Sequence, residues 1–161
     1  FHWDDLTQRI ARVHKPYHEA IAAMLRERHR RHGFALLLDV HSMPSLPGDA
    51  PAQLVVGDRH GATAPDWLIQ RIEQEARLSG MTVKRNQPYA GGYVIERHSK
   101  PQQRQFAIQV EIDRACYLDA AGDPRADACA ALGALLARMA LAAEMAMVDR
   151  FSTPDWLEAA E

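Results

Sequence analysis

Two separate segments of the chain carry side chains that could do chemistry together, and the first of them ends at His41. This histidine closes an apolar run that begins at Phe34, with Asp39 two residues before it. In open α/β sheets, ligands bind beyond the carboxyl ends of strands, so an imidazole there could bind a metal ion. Residues two apart on a strand share a face, so Asp39 could orient that imidazole from behind. A histidine that is only hydrogen-bonded within the structure would give the same pattern.

The second segment contains Glu111, and apolar and polar residues alternate along it. Such alternation predicts a strand with one apolar and one polar face. A carboxylate held in a cleft could take a proton from water and pass it to the leaving nitrogen of an amide. A half-exposed strand with an ordinary polar face is the alternative. The predicted apolar face comprises Phe106, Ile108, Val110 and Ile112, and the polar face comprises Gln109, Glu111 and Asp113.

A third segment, Arg85 to His98, could contact a substrate. Its Gly91–Gly92 pair permits a positive φ or a close approach of the backbone to a ligand. The segment is not a phosphate-binding loop, because it lacks the spacing and the following Lys-Ser or Lys-Thr of that motif. Arg97 could form a bidentate pair with a substrate carboxylate. A plain hairpin with a surface arginine is equally consistent with these residues.

Helices and strands that alternate along the chain must position these segments. Periodic apolar residues predict a helix from Thr7 to about His32, interrupted near Pro16 and ended by Gly33. We expect its buried stripe to be Ile10, Val13, Tyr17, Ile21, Met24 and Leu25. Thr63 and Asp66 resemble a capping box at the start of the next helix, and a long Ala-rich helix covers about Arg125–Arg150. Strands are predicted at Phe34–His41, Leu54–Gly57, Thr82–Lys84, Gly92–Arg97 and Phe106–Asp113, which makes the class α/β in a single domain, residues 1–161.

Composition and charge exclude several classes of partner. Apolar residues make up 47% and charged residues 25%, and the formal net charge is −2, so we expect neither a nucleic-acid nor a membrane partner. Charged residues interrupt the apolar runs, which argues against a membrane span. The basic run from Arg26 to His32 is interpreted as a solvated helix end, with a nucleic-acid patch as the alternative. Cys116 and Cys129 lack the spacing of a metal site or a disulfide framework, so a reducing, cytoplasmic setting is the default.

Taken in order, these segments resemble the N-formylglutamate amidohydrolase family. The similarity covers most of the chain, and four motifs in the same order are far more specific than any one alone. A fifth stretch, His14-Lys15-Pro16-Tyr17-His18, also resembles the family. The four motifs are Asp39-Val40-His41-Ser42-Met43-Pro44, Gly57-Asp58-Arg59-His60-Gly61, Asn86-Gln87-Pro88-Tyr89-Ala90-Gly91-Gly92-Tyr93 with Arg97-His98, and Gln109-Val110-Glu111-Ile112-Asp113-Arg114.

The resemblance implies a phosphorylase/hydrolase-like mixed sheet flanked by helices and lacking its N-terminal strands, related to zinc carboxypeptidases and aspartoacylase. It implies zinc-dependent hydrolysis of a small N-acyl amino acid, such as N-formyl-L-glutamate to formate and glutamate. His41 matches the last ligand of one Zn²⁺ ion and Glu111 the general base. Substrate contacts are implied for Asn86, Gly91, Gly92 and Arg97, and a supporting role behind the site for Asp58 and His60, beside Asp39.

The chain also departs from the family pattern. The Ser-Pro-His-Ser-Gly-like segment and the acidic residue that match the first two zinc ligands are not visible, nor is an upstream Asn-Arg pair. Since the chain opens without Met inside a helical pattern, we expect the C-terminal portion of a catalytic domain, with the remaining zinc ligands upstream of Phe1. The alternative is a truncated, non-catalytic relative that acts as a binding module. A serine hydrolase using Ser42 beside His41 is disfavoured, because neighbouring strand residues point to opposite faces and no Gly-x-Ser-x-Gly elbow is present.

Overall fold

The computed structural model describes residues 3–151, which form a four-stranded sheet with helices on both faces. The first helical segment contains one π-helical turn, Ile10–His14, and short 3₁₀ turns lie at Pro101–Gln103 and Arg114–Cys116. The helices are α1 (Trp3–Arg9), α2 (Lys15–His32), α3 (Asp66–Leu78), α4 (Tyr93–His98) and α5 (Ala126–Phe151), and the strands are β1 (Ala35–Met43), β2 (Leu54–Gly57), β3 (Val83–Arg85) and β4 (Gln105–Asp113).

The strand order in the sheet is β1-β4-β2-β3. β4 runs parallel to β1 and antiparallel to β2, and β2 is parallel to β3. The predicted α/β class with a mixed sheet is therefore confirmed. β4 is covered on both faces, since its residues from Phe106 to Asp113 are all buried. The interpretation of this segment as a half-exposed strand is wrong.

The two faces of the sheet differ in chemistry. One face packs its apolar residues against α3 and α5 and forms the main core. The other face begins with Ala35, which packs against Ile21 and Leu25 of α2. Towards the carboxyl ends of β1 and β4 this second face becomes polar, with Asp39, His41, Gln109 and Glu111 in adjacent register positions. This polar stretch is where a site can form.

The first helical segment only partly follows its predicted stripe. The predicted interruption near Pro16 is confirmed, because the π turn ends at His14 and the proline lies in the first turn of α2. Gly33 ends α2 with φ of 76°, as expected. Among the six stripe residues, however, only Ile21 and Leu25 are buried, and both pack against Ala35 of the sheet. The exposed members are Ile10, Val13, Tyr17 and Met24.

Two local predictions around the site segments are wrong. Gly92–Arg97 is not a strand; α4 covers Tyr93–His98, because Ile95 and His98 are both buried at helical spacing. Its β-branched and aromatic residues suggested a strand, but tertiary packing overrides that weak propensity. The capping box also fails, because Pro65 is the N-cap and the Thr63 hydroxyl is buried without a hydrogen-bond partner in residues 3–151.

Helix α5 corrects the expectation about apolar runs. By length and composition it could cross a membrane, so charged residues do not rule out every such segment. In the structure it packs one side on the main core, as the core helix of a globular α/β domain also does. The buried side comprises Leu135, Met139, Ala143 and Met147, and Leu132 and Leu136 beside them are partly buried.

Candidate active site

His41 and Glu111 lie side by side at the polar end of the sheet. They are register partners on the parallel strands β1 and β4, so both side chains leave the same face. Neighbouring strands are about 4.8 Å apart, which places the two backbones within reach of one small molecule. The His41 side chain is 46% exposed, whereas Glu111 is 8% exposed. An accessible imidazole thus stands next to a largely enclosed carboxylate.

Asp39 supports His41 from within the same strand. The imidazole Nε2 lies 3.0 Å from Asp39 Oδ1, and the Asp39 side chain is 14% exposed. At this separation a protonated Nε2 can donate to the carboxylate, and the tautomer that does so keeps the lone pair of Nδ1. Metal-ligating histidines commonly donate their other N–H to a carboxylate in this way. The spacing of Asp39 and His41 suggested a contact between their side chains, and the structure contains this contact.

Gln109 holds the Glu111 carboxylate and was not among the predicted site residues. Its Nε2 donates to Glu111 Oε1 at 2.8 Å, and its Oε1 accepts from the backbone N–H of Gly92 at 2.8 Å. Both side chains leave the same face of β4, two residues apart, so the alternation pattern contained the signal that could have identified it. One amide therefore joins the carboxylate to the turn before α4.

The turn can approach the sheet closely because Gly57 has no side chain. Gly57 is the register partner of Gln109 on β2. A Cβ on Gly57 would lie 2.8 Å from the carbonyl carbon of Ala90 and 2.9 Å from the nitrogen of Gly91, closer than real Cβ contacts. Gly91 itself has φ of 109°, a conformation that favours glycine. Gly91 thus adopts the positive φ that the glycine pair was predicted to permit, whereas Gly92 has an extended conformation with φ of −96°.

Asp58, Asn86 and Arg85 form a buried polar network that anchors the other end of the same loop. Asn86 Nδ2 donates to Asp58 Oδ1 at 2.6 Å, the Asp58 N–H donates to Asn86 Oδ1 at 3.0 Å, and Arg85 pairs with the carboxylate of Asp58. Burial raises the pKa of Asp58, but the hydrogen bonds from Arg85 and Asn86 outweigh it and hold that pKa below 3.8. The Asn86 side chain is thereby committed to Asp58.

Arg97 lies in the last turn of α4. The neighbouring His98 carbonyl accepts from Gln105 Nε2 at 2.6 Å, and Gln105 starts β4, about 20 Å along the strand from Glu111. Arg97 donates to the Tyr93 hydroxyl and lines a cleft of about 330 Å³ with Arg26 and Lys100. The Arg97 guanidinium thus turns back towards Tyr93, the first residue of α4, which follows Gly92.

A pair of buried histidines, His18 and His98, closes the space between α2 and α4. His18 Nδ1 and His98 Nε2 are 2.8 Å apart, so one of the rings donates to the other. Burial lowers the pKa of both rings below 6.5, and an adjacent imidazole and the Arg97 cation lower it further. Two of the sequence motifs thus meet here, but at a place separate from Glu111.

The remaining predicted site residue, His60, lies in an exposed turn with φ of 57°. The structure brings together Asp39, His41, Glu111 and Gly92, while Asp58 and Asn86 anchor the loop. Within residues 3–151, no group of three His, Cys, Asp or Glu side chains could hold a metal ion. These residues thus offer His41 as one well-oriented donor rather than a closed metal site. The individual substrate and metal roles stay predictions.

Comparisons with known proteins point to one family. A family model for N-formylglutamate amidohydrolase matches residues 1–118. An N-formylglutamate deformylase of Pseudomonas aeruginosa is 30% identical over 115 residues, covering 68% of this chain and 43% of that protein. One from Pseudomonas putida is 25% identical over 116 residues, with the same shares covered.

Two solved structures have folds similar to that of this chain. The N-formylglutamate amidohydrolase of Ralstonia eutropha JMP134 aligns with a TM-score of 0.76 and 28% identity, over 93% of this chain and 56% of that one. A protein of Agrobacterium tumefaciens shares the fold, with a TM-score of 0.66 and 17% identity. The chain spans about half the length of these relatives.

Proposed function

Because this chain belongs to the N-formylglutamate amidohydrolase family, we propose that the protein hydrolyses N-formyl-L-glutamate to formate and glutamate. The observation that carries this proposal is the pairing of His41 and Glu111 in register on one sheet face. Amide hydrolysis needs a group that moves a proton from water to nitrogen beside a group that stabilises the developing oxyanion. The Glu111 carboxylate would move the proton. A metal ion bound by the adjacent His41 imidazole would stabilise the oxyanion.

Glu111 is the general base in this proposal. It takes a proton from the attacking water as the water oxygen bonds to the formyl carbon. It returns that proton to the amide nitrogen when the C–N bond breaks, so formate and the free amine of glutamate leave. Its enclosure, at 8% exposure, and its hydrogen bond from Gln109 keep the carboxylate in one orientation throughout.

His41 is proposed as one ligand of a catalytic Zn²⁺ ion, with Asp39 fixing the tautomer that leaves Nδ1 free to ligate. A bound zinc ion supplies a Lewis acid that polarises the carbonyl of the substrate. Catalytic zinc sites use three protein ligands, and residues 3–151 hold no such group of three. The proposed zinc site therefore requires donors in addition to those that residues 3–151 offer.

The substrate is proposed to bind beside the Gly91–Gly92 turn. The Gly91–Gly92 turn adjoins Glu111 through Gln109 and is the part of the family motif best placed to contact the formyl-amino-acid. Asn86 acts by shaping that loop through Asp58. Arg97, whose guanidinium donates to the Tyr93 hydroxyl, is proposed to pair with the substrate carboxylate. The two free cysteines, Cys116 and Cys129, are compatible with the cytoplasmic setting that we include in the proposal.

The test is to incubate the purified, zinc-supplemented protein with N-formyl-L-glutamate and to quantify formate and glutamate together. We expect the two products in a 1:1 ratio, and loss of their release after dialysis against a chelator. N-formylglycine, which lacks the side-chain carboxylate, serves as the control substrate. A folded, zinc-loaded protein that releases no formate would contradict the proposal.

The second candidate is a non-catalytic binding module, favoured by the incomplete donor set within residues 3–151. Such a module would bind N-formyl-L-glutamate without zinc and without turnover. Calorimetric titration of the chelator-treated protein separates the two functions. Binding unaffected by the chelator, together with the absence of formate, would establish the module.

A further inference from the structure

Gln109 connects two parts of the candidate site, the Glu111 carboxylate and the turn before α4. Its side chain is buried, at 6% exposure, between the carboxylate of Glu111 and the backbone of Gly92. Both hydrogen bonds measure 2.8 Å. A buried amide with both ends satisfied by fixed partners has little freedom to reorient.

The orientation of this amide is determined by its partners. A backbone N–H can only donate and a carboxylate oxygen accepts, so Oε1 must face Gly92 and Nε2 must face Glu111. A reversed amide would leave two donors opposed at one end and two acceptors opposed at the other. The bridge can therefore form with the amide in one orientation only. In that orientation the Gly92 N–H donates to Gln109, and Gln109 donates to Glu111.

Two features of the fold favour this bridge. Gly57, the register partner of Gln109, leaves room for the backbone of Ala90 and Gly91 to descend onto the sheet. Gly92 is also the N-cap residue of α4, so its N–H would otherwise point away from any helical acceptor. The Gln109 oxygen supplies that acceptor from the neighbouring strand.

We propose that Gln109 is a positioning residue for this reaction, which fixes the Glu111 carboxylate and fastens the Gly91–Gly92 turn to the same strand. The proposal rests on the proposed function. It predicts that one side chain controls two separable properties, namely the rate of the proton-transfer step through Glu111 and the order of the turn through Gly92. A residue that only fills space would control neither separately.

Two substitutions separate these properties. Gln109→Met is nearly isosteric and removes both hydrogen bonds. Gln109→Glu keeps an oxygen acceptor for the Gly92 N–H, cannot donate to Glu111 when ionised, and places a second carboxyl group beside it. Gln105→Met is the matched control, because Gln105 lies on the same strand and face and donates to the His98 carbonyl instead.

The readouts are hydrogen exchange of the Gly92 amide, by NMR, and kcat and KM for formate release from the full-length, zinc-loaded protein. An amide bonded to a buried acceptor exchanges slowly. We expect Gln109→Met to accelerate exchange at Gly92 and to lower kcat about tenfold or more, the size expected for one hydrogen bond to a charged group. Gln109→Glu should keep Gly92 protected, with KM within about twofold of wild type, while kcat falls at least as far. Gln105→Met should leave both readouts unchanged.

Several outcomes would overturn the proposal. One is a kcat for Gln109→Met within twofold of wild type in a protein that remains folded by circular dichroism. Another is unchanged Gly92 exchange in that variant. Equal loss in Gln105→Met would show a general packing effect. If wild type itself released no formate, the proposed function would fail, whereas the Gly92 exchange would still decide whether the bridge exists.

Discussion

His41 on β1 and Glu111 on β4 are register partners in a parallel strand pair, and their side chains leave the same face of the sheet. They are separated by 70 positions in the sequence, yet the pairing brings them to adjacent strands at about 4.8 Å backbone spacing. The exposed imidazole and the enclosed carboxylate have different surroundings, because Asp39 orients the first and Gln109 the second. Two adjacent polar groups with different supports suit two different tasks.

Replacement of His41 tests its role as a metal ligand. We expect His41→Ala to weaken zinc affinity by more than about 100-fold, because even the outer partners of metal ligands contribute about 10–100-fold. Competition with a chromophoric chelator measures this affinity in the intact protein. His32→Ala, in an exposed position at the end of α2, is the control. Wild-type affinity in a folded His41→Ala protein would make this histidine structural.

Removal of the Asp39 carboxylate should act on zinc only through His41. We expect Asp39→Ala to lower zinc affinity about 10–100-fold, since the ring loses the acceptor that fixes its tautomer. Asp39→Asn retains an oxygen acceptor and should lose less. The same chelator competition measures both, with Asp49→Asn in an exposed loop as the control. Equal effects of the two Asp39 variants would argue against orientation by this oxygen.

Asp58 should make stability depend on acid pH. Because hydrogen bonds hold its folded-state pKa below 3.8, its contribution is present above the unfolded-state value and is lost as pH falls through the folded-state pKa. We expect Asp58→Asn to lower the free energy of unfolding by about 2 kcal/mol at pH 7, the scale for hydrogen bonds to a charged group. Urea unfolding at a series of pH values should show this difference shrinking below pH 3.8. A pH-independent difference would contradict the assignment.

The His18–His98 pair should act in a higher pH range. Their folded-state pKa values are lowered from 6.5, chiefly by burial, so the unfolded chain binds more protons as pH falls. The wild-type protein should therefore lose stability as pH falls below 6.5 towards the folded-state values. In His98→Gln this loss should be smaller, as measured by urea unfolding at pH 7.5 and 5.5. His60→Gln, in an exposed turn, should keep the wild-type dependence.

Much of the fold could be predicted because its signals are local. The apolar run into His41, the alternation around Glu111 and the Ala-rich helix follow from residue periodicity. Gly92–Arg97 could not be assigned correctly, because six residues are too few for periodicity to distinguish helix from strand. Its burial of Ile95 and His98 depends on α2 and β4, which lie far away in sequence.

The candidate site was predictable in part for the same reason. Asp39 and His41 share a strand face by spacing alone, so their contact could be anticipated. Gln109 shares a face with Glu111, but nothing local shows that Gly92 descends onto it. That contact depends on Gly57, a residue of another strand. Likewise, the hydrogen bond between Arg97 and Tyr93 depends on α4 being a helix, because these residues lie four positions apart.

The most direct test of the account is the Glu111→Gln variant, assayed for zinc content and formate release in the same preparation. Glutamine keeps the shape and an oxygen acceptor, but it cannot take up the proton. We expect the variant to bind zinc as wild type does while kcat falls by about 100-fold or more, the usual scale for general base catalysis. A folded, zinc-loaded Glu111→Gln protein with near-normal kcat would contradict the central claim.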